Sequence, residues 1–440
     1  MKLPALKGFD PQAFEKYLKN TGWLMFGKIL SMLVGFVVAR YLGPVLFGDL
    51  NFADAMTAII AAVGTLGLDS FIIREIINEP EKRDEILGTS FWMRVGVNLL
   101  LVPVSVLIYV IYHHYSTTPG RPLTIIVALL AFASFFKSFN VIDSYFQSQV
   151  QSKYVVHVQN VCVVLSAMVK VVLVIFNMPL VYFALALVFD GFILAAGLCI
   201  VYQHRGLQLT TWTFNRERAR SLIRQSFPLI LSAVMVSIYM KIDQVMLKTA
   251  GSREVGIYSA AAKISESWYF IPVAIVTSVF PAIINARKTD LNRYNKRLQN
   301  LYDLLVGISL PTAIIISLFA NDIIHLLYGN RYEGAGLMLS IHIWSGIFVF
   351  LGSASTQYLL VEGYTTIAFV RTTVGAAINV LLNLWLIPLY GGVGASAATL
   401  VAYAVATFFI LTLSSTRKQG LLMLESLFLI SIFRKLYHKQ

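Results

Sequence analysis

Charge is what this chain has least of. Only 13% of its 440 residues are Asp, Glu, Lys or Arg, against roughly 25% in a soluble domain. Cysteine is nearly absent too. Cys162 and Cys199 both fall inside apolar runs, so neither a disulfide framework nor a zinc spacing exists. Long polar segments are missing: the longest is 204–222, which leaves no soluble domain on either face of a membrane. The strand-like alternation of a membrane barrel is also lacking.

Catalytic signatures are equally scarce. No P-loop, nucleophile elbow or HExxH occurs, and the sequence places His113 and His114 in a loop without a ligand-spaced partner. GVGASA at 392–397 fits a dinucleotide fingerprint in letters only. It joins two apolar runs instead of following a strand, and no acid stands near residue 415. A membrane-embedded glycosyltransferase or polymerase would need a loop to hold its acceptor. The expectation is a protein that is not an enzyme and uses no metal or cofactor. The first 19 residues carry charge and lack both the apolar core and the cleavage site of a signal peptide.

Apolar runs are abundant: 57% of the residues are hydrophobic and the mean hydropathy is +0.72. A run of about 20 residues crosses about 30 Å of hydrocarbon as a helix. Twelve such runs are readable, at 20–41, 47–72, 86–111, 122–146, 154–177, 179–203, 224–247, 254–284, 299–319, 333–361, 366–388 and 393–414. With the N-terminus on the cytoplasmic side, 23 of the 35 Lys and Arg lie in cytoplasmic segments, 5 in outer loops and 7 within spans. This is the positive-inside bias, so both termini are expected in the cytoplasm. The net charge of +13 then reflects topology and anionic lipid, not nucleic acid.

The fold expected is an all-α membrane protein of about twelve transmembrane helices, in two six-helix lobes around a central cavity. Residues 1–203 form the first lobe, 204–222 a cytoplasmic linker and 223–415 the second lobe. Residues 416–440 form an interfacial tail ending in Arg434, Lys435, His438 and Lys439. Each half carries Gly-x4-Gly after its first span, Gly43 and Gly48 in one and Gly251 and Gly256 in the other. That is the mark of a parallel repeat.

Thirteen charges fall inside the spans: Lys28, Arg94, Lys137, Lys170, Lys241, Lys263, Arg371, Asp54, Asp69, Asp143, Asp190, Asp243 and Glu266. At roughly 2.5–3.5 kcal/mol each, facing lipid would cost on the order of 30–45 kcal/mol in all. They must pair, snorkel or face water. Arg94, Asp69, Asp143 and Arg371 stand close enough to span ends to snorkel. Helical spacing sorts the others. Lys28, Ser31, Gly35 and Ala39 share a face, as do Asn51, Asp54, Ala58, Ala61, Thr65 and Asp69. Ser226, Ala233, Ser237, Lys241 and Gln244 form a third stripe, and Ser259, Lys263, Glu266 and Thr277 a fourth. Asp243, two residues from Lys241, points the other way. Polar faces on spans 1, 2, 7 and 8 suit two halves meeting across an aqueous path. The stripes without charge read as helix packing instead. So do Asn379 and Asn383, four residues apart, and the small residues around Gly394 and Ala397.

Three ordered motifs carry a resemblance: WLMFGKILSMLVGFVVARYLGPVLFGDLNFADA at 23–55, the segment 228–283, and AAINVLLNLWLIPLYGGVGASAATLVAY from residue 376. Together they resemble the polysaccharide biosynthesis flippases of the multidrug, oligosaccharidyl-lipid and polysaccharide exporter superfamily. The resemblance implies a flippase that carries undecaprenyl-diphosphate-linked oligosaccharide, such as an O-antigen unit, to the outer leaflet of a bacterial inner membrane by alternating access. It implies a cavity lined by spans 1, 2, 7 and 8, with cations mapping onto Lys28, Lys241 and Lys263; Arg94 is a further candidate for the substrate cavity. Asp54, Glu266, Asp243 and Asp190 are the candidates for ion coupling or charge pairing, driven by an H+ or Na+ gradient or the membrane potential. Membrane lipids, a polysaccharide polymerase and chain-length proteins are the implied partners. A drug or organic-cation antiporter of the same superfamily, or a non-transporting subunit of an envelope assembly complex, are the alternatives.

Overall fold

The computed structural model describes residues 11–116, 121–287, 290–431 and 434, with side chains from Gly27 onward. All regular structure among the described residues is helical. Among the described residues, ten helical segments are long and apolar enough to cross a membrane. Two of them, Gly27–Asn78 and Thr365–Thr412, are each long enough for two crossings.

Both double-length segments break at a glycine. In α1 (Pro11–Gly64) the break is Gly43, at φ 69° and ψ 171°, followed by Pro44. Glycine alone enters that region without steric cost, and proline suits the first position of the helix that restarts. In α15 (Thr365–Phe408) Gly391 breaks the helix at φ 54°, three residues after Pro388. The twelve runs read from the sequence therefore fit ten helical segments.

The chain divides into two compact units, Gly22–Gly256 and the part from Ile257 onward. The first holds most of α1, α2 (Asp69–Asn78), α3 (Arg83–Tyr115), α4 (Thr124–Phe136), α5 (Val141–Ser148), α6 (Lys153–Ile175), α7 (Leu180–His204) and α8 (Arg216–Met246). Its core joins Leu68, Ile72, Ile76, Ile86, Leu87, Ile142, Phe146, Tyr202 and Leu222.

The α8 helix belongs to this unit because its start is fastened there. Asn215 caps it, accepting from the Glu217 and Arg218 amides. The Arg218 guanidinium donates to Glu85 at 2.7 Å, Glu79 at 2.9 Å and Glu75 at 3.2 Å. Lys82 first, and then Arg218, hold the Glu79 carboxyl below its usual range. Just upstream, a Cβ on Gly88 would stand 2.5 Å from the Thr213 carbonyl, so the chain lies flat on α3 there. Trp212 packs edge-on against Phe91 and Tyr202 and donates to the Tyr202 hydroxyl. Residues 216–222, read from the sequence as linker, are the first two turns of α8.

The second unit holds most of α9 (Ser252–Glu266), then α10 (Phe270–Arg287), α11 (Leu291–Leu318), α12 (Ala320–Tyr328), α13 (Ala335–His342), α14 (Ser345–Val361), α15 and α16 (Arg417–Leu427). Buried Leu298, Leu301, Tyr302, Leu305 and Val306 make α11 its axis. The tail helix α16 docks on α11. Ser426 donates to Asp303 at 2.6 Å, Gln299 donates to Ser426 at 2.6 Å, and Gln419 bonds the Tyr302 hydroxyl. One face of the tail is thus committed to protein. Lys435, His438 and Lys439 lie outside the described residues.

Several local expectations change. His113 and His114 lie in the last turn of α3, not in a loop, with His113 stacked on Tyr109. The segment read as one span at 254–284 is two helices, parted at residues 267–269. Asp69 opens α2, beyond the end of α1 at Gly64, and so does not continue the Asn51–Thr65 stripe.

Candidate functional site

The intramembrane charges of the first unit differ in what stands beside them. Arg94 is 2% exposed and donates to Asp69 at 2.8 Å. It does not snorkel, because α2 brings Asp69 over the α3 surface; Ser144 reaches the same oxygen at 3.4 Å. Arg94, a candidate for the cavity, therefore has its charge balanced on the spot. Lys170 and Asp190 pair at 2.6 Å between α6 and α7, with Ser166 assisting.

A third pair was not anticipated. Lys248 donates to Asp49 at 2.5 Å and to Ser252 at 2.7 Å, and both charged side chains are buried. The sequence reading counted Lys248 as a loop residue and passed over Asp49. The missed signal was Asp49 directly after Gly48, beside the repeated glycines. Those glycines meet. A Cβ on Gly48 would fall 1.8 Å from the Ser252 carbonyl oxygen, and one on Gly256 would fall 1.9 Å from that of Pro44. The contact is reciprocal, each Gly-x4-Gly motif filling the other's empty side.

Lys241 differs. It is half-buried on α8, and among the described residues no carboxylate lies within ion-pair distance of it. Asp243, two residues on, is 4% exposed and faces the interior, as their spacing requires. On α1, Gly27 packs against Asn160 and Val163 of α6, and the next residue, Lys28, is exposed. Asp54 is half-buried on the second half of α1 and, like Lys241, makes no ion pair among the described residues. The uncharged members of its stripe are satisfied locally. Asn51 donates to the Phe47 carbonyl and Thr65 to that of Ala62, while Ser237 of α8 donates to the Ala58 carbonyl at 3.2 Å.

In the second unit, Lys263 and Glu266 stand at the end of α9, where the helix stops and restarts as α10 after three residues. Lys263 is exposed and Glu266 half-buried. A cation in a last helical turn complements the carbonyl end of the helix dipole. Thr277 is on α10 and donates to the Val273 carbonyl, so it does not share their helix. Irregular backbone at membrane depth is tolerated only where it is buried in protein or lines water. Half-helix ends of this kind form substrate and ion sites in many transporters.

Asn379 and Asn383 are fully buried, and Asn383 donates to Asn379 at 3.3 Å along one helix. A Cβ on Gly394 would stand 2.3 Å from the Leu386 carbonyl, so this glycine closes the bend after Gly391. Ala395 and Ala398 are fully buried, while Ala397 is only half-buried. The tightest alanine packing thus lies at Ala395 and Ala398. Arg371 does not snorkel either. It is 7% exposed and reaches Ser355 at 3.1 Å, Thr356 at 2.5 Å and the Gly352 carbonyl at 3.1 Å.

With this geometry described, comparison with known proteins adds the following. The sequence pattern of the family described as "Polysaccharide biosynthesis protein" matches residues 17–286, and that of MatE matches residues 228–385. The "Probable flippase AglR" of Haloferax volcanii is 29% identical over 154 residues, 34% of this chain and 32% of that protein. The "Uncharacterized membrane protein MJ1375" of Methanocaldococcus jannaschii is 23% identical over 406 residues, 88% of this chain and 94% of that protein. The chain thus spans about a third of AglR but nearly all of MJ1375. Among solved structures, an inward closed conformation of the lipid II flippase MurJ superposes with a TM-score of 0.74 at 14% identity, covering 94% of this chain and 93% of that one. An inward-facing multidrug resistance MATE transporter gives 0.65 at 16% identity, covering 93% and 96%. At such identities the likeness is one of fold.

Proposed function

The chain belongs to the polysaccharide biosynthesis protein family of the multidrug, oligosaccharidyl-lipid and polysaccharide exporter superfamily, and on that premise we propose that it moves a polyprenyl-linked oligosaccharide between membrane leaflets. In a bacterial inner membrane the carrier would be undecaprenyl diphosphate and the cargo an O-antigen or other surface-glycan unit. The work is electrostatic and not covalent, so the protein acts as a transporter and not as an enzyme. Two six-helix lobes alternate access to a water-filled path. The diphosphate needs mid-membrane cations, the sugars need hydrogen-bonding walls, and the polyprenyl tail stays in lipid.

The observation that carries this reading is the division of the charges. Arg94, Lys170 and Lys248 are each committed to a carboxylate. Half-buried Lys241 is not, and an uncompensated cation at such depth is costly unless an anion or water meets it. Lys28 and Lys263, both exposed on their helices, are proposed to meet the cargo beside it. In this reading Asp54 and Glu266 bind a proton or Na⁺ for coupling. The MatE match at 228–385 keeps an antiporter as the competing reading; it would rely on Asp54 and Glu266 and have no need of the lysines.

The test replaces Lys28, Lys241 and Lys263 singly and together by Gln, in a host lacking its own flippase. The expected result is a loss of surface glycan of at least tenfold in the triple variant, with lipid-linked precursor accumulating and expression unchanged. Lys263→Arg should retain part of the activity, since charge matters more than shape there. Intact surface glycan in the triple variant would overturn the cationic mechanism. Loss of dye efflux in Asp54→Asn, without loss of glycan, would favour the antiporter.

A further inference from the structure

The first three turns of α8 have two faces that differ in kind. One is fastened: Ala219, Leu222 and Ser226 are buried, and Arg218 is surrounded by Glu75, Glu79 and Glu85. The other is open. Arg216, Arg220 and Arg224 are all exposed, spaced four residues apart on a strip about 100° wide. None of the three makes an ion pair among the described residues, although acidic partners crowd around Arg218 two residues away. Glu217 stands at the edge of the strip and forms no ion pair with it.

Along the same strip the chemistry changes with depth. Ile223, Phe227 and Leu231 share the strip with the arginines and extend it toward the apolar run, and they are 46%, 56% and 41% exposed. Phe214, just ahead of the helix, is 54% exposed. The helix has 31 residues, which at 1.5 Å per residue is about 46 Å, well beyond a hydrocarbon core of about 30 Å. Its first turns therefore pass through the headgroup region. Arginine giving way to Ile, Phe and Leu is the polarity step that a headgroup–hydrocarbon boundary imposes.

We infer that Arg216, Arg220 and Arg224, with Ile223, Phe227 and Leu231 below them, form a docking strip for the headgroups of anionic phospholipids in the leaflet on the protein's basic side. The planar guanidinium fork bonds a phosphate through two N–H groups, and three forks at one-turn spacing reach neighbouring headgroups. Arg218 holds the strip in place from behind, so little order has to be imposed when lipid binds.

The test is binding and not transport, so it does not depend on the proposed cargo. Purified full-length protein in neutral detergent is titrated with phosphatidylglycerol, with phosphatidylcholine as the uncharged control. A basic residue near an anionic surface contributes about fivefold in affinity. Arg216→Gln/Arg220→Gln/Arg224→Gln should therefore bind phosphatidylglycerol on the order of a hundredfold more weakly at low salt. The wild-type preference should fade as salt rises. Arg293→Gln/Lys296→Gln/Lys418→Gln removes the same charge elsewhere and should change binding less than fivefold. Equal losses in the two triple variants would mean a diffuse field and overturn the strip. So would polyprenyl phosphate in phosphatidylcholine binding at the same three arginines far more tightly than phosphatidylglycerol, since the strip would then serve cargo. If the Gln triple does not fold, Arg220→Gln alone should bind about fivefold more weakly. Unchanged binding in Arg220→Gln would overturn the proposal.

Discussion

Two ways of meeting a charge can be compared across the units. In Gly22–Gly256, cation meets carboxylate: Lys248 with Asp49, Arg94 with Asp69, Lys170 with Asp190, and Arg218 with three glutamates. In the unit from Ile257 onward, Arg371 bonds Ser355, Thr356 and the Gly352 carbonyl, and Asp303 accepts from Gln299, Ser426 and Ser431. Its pair Arg287–Glu362 leaves the arginine 43% exposed. The contrast has an energetic meaning. A buried pair contributes little net stability, yet removing one partner strands the other at about 3–5 kcal/mol. A single hydroxyl in a shared shell is worth about 1 kcal/mol. The first unit should therefore respond sharply to single substitutions of charge, and the second should absorb single losses of polar partners.

The largest effect is expected where backbones touch, which both units share. Gly256→Val places a side chain against the Pro44 carbonyl, and Gly394→Val places one against that of Leu386. Backbone cannot yield as a flexible side chain can, so both variants should give almost no monodisperse protein in detergent chromatography. Ala397→Leu should fold at reduced but measurable yield, because that position is only half-buried. Normal yield of either valine variant would remove close packing from the account of that unit.

How much of this was legible in the sequence follows from range. Spans, breaks and charge bias are local patterns, and the twelve apolar runs fit the helices found. The glycines at Gly43 and Gly391 announced the breaks, since Pro44 follows the one directly and Pro388 precedes the other by three residues. The stop between Glu266 and Phe270 was read through as one span, although Pro272, in the first turn of α10, is the kind of residue that marks a helix start. The site residues were legible as misplaced charges but not as pairs. Arg94 and Asp69 lie 25 residues apart and Lys248 and Asp49 lie 199 apart, and helical spacing informs only on residues within a few turns. The reversed readings of Arg94 and Arg371 share one cause: distance from a span end says nothing of which neighbour stands over the side chain.

An intermediate effect should separate the units directly. Lys248→Met leaves Asp49 buried without its cation and should lower stability by about 3–5 kcal/mol. Adding Asp49→Leu should recover more than half of that, because the stranded charge is gone and the pair's desolvation is no longer required. Thermal unfolding in detergent reads both variants. If the double variant is no more stable than Lys248→Met alone, the pair is not the unit in which this energy resides.

The smallest effect is the one that would erase the contrast if it came out large. Ser355→Ala removes one acceptor from Arg371 while Thr356 and the Gly352 carbonyl remain. The guanidinium has five donors in a fixed fork, so losing one neutral acceptor should cost about 0.5–1.5 kcal/mol. Polar contacts between membrane helices average only about 0.6 kcal/mol, because the chain finds other partners in the reference state. Ser355→Ala and Thr356→Val together should then cost more than the sum of the singles, since the second loss leaves the arginine with the carbonyl alone from this set. Arg371→Met, which removes donor and charge at once, should be milder than that double variant, because the remaining hydroxyls can bond their own helix as Thr356 already does. If instead Ser355→Ala alone costs as much as Lys248→Met, the shell around Arg371 behaves as a single indivisible partner. The second unit would then be as brittle toward one substitution as the first.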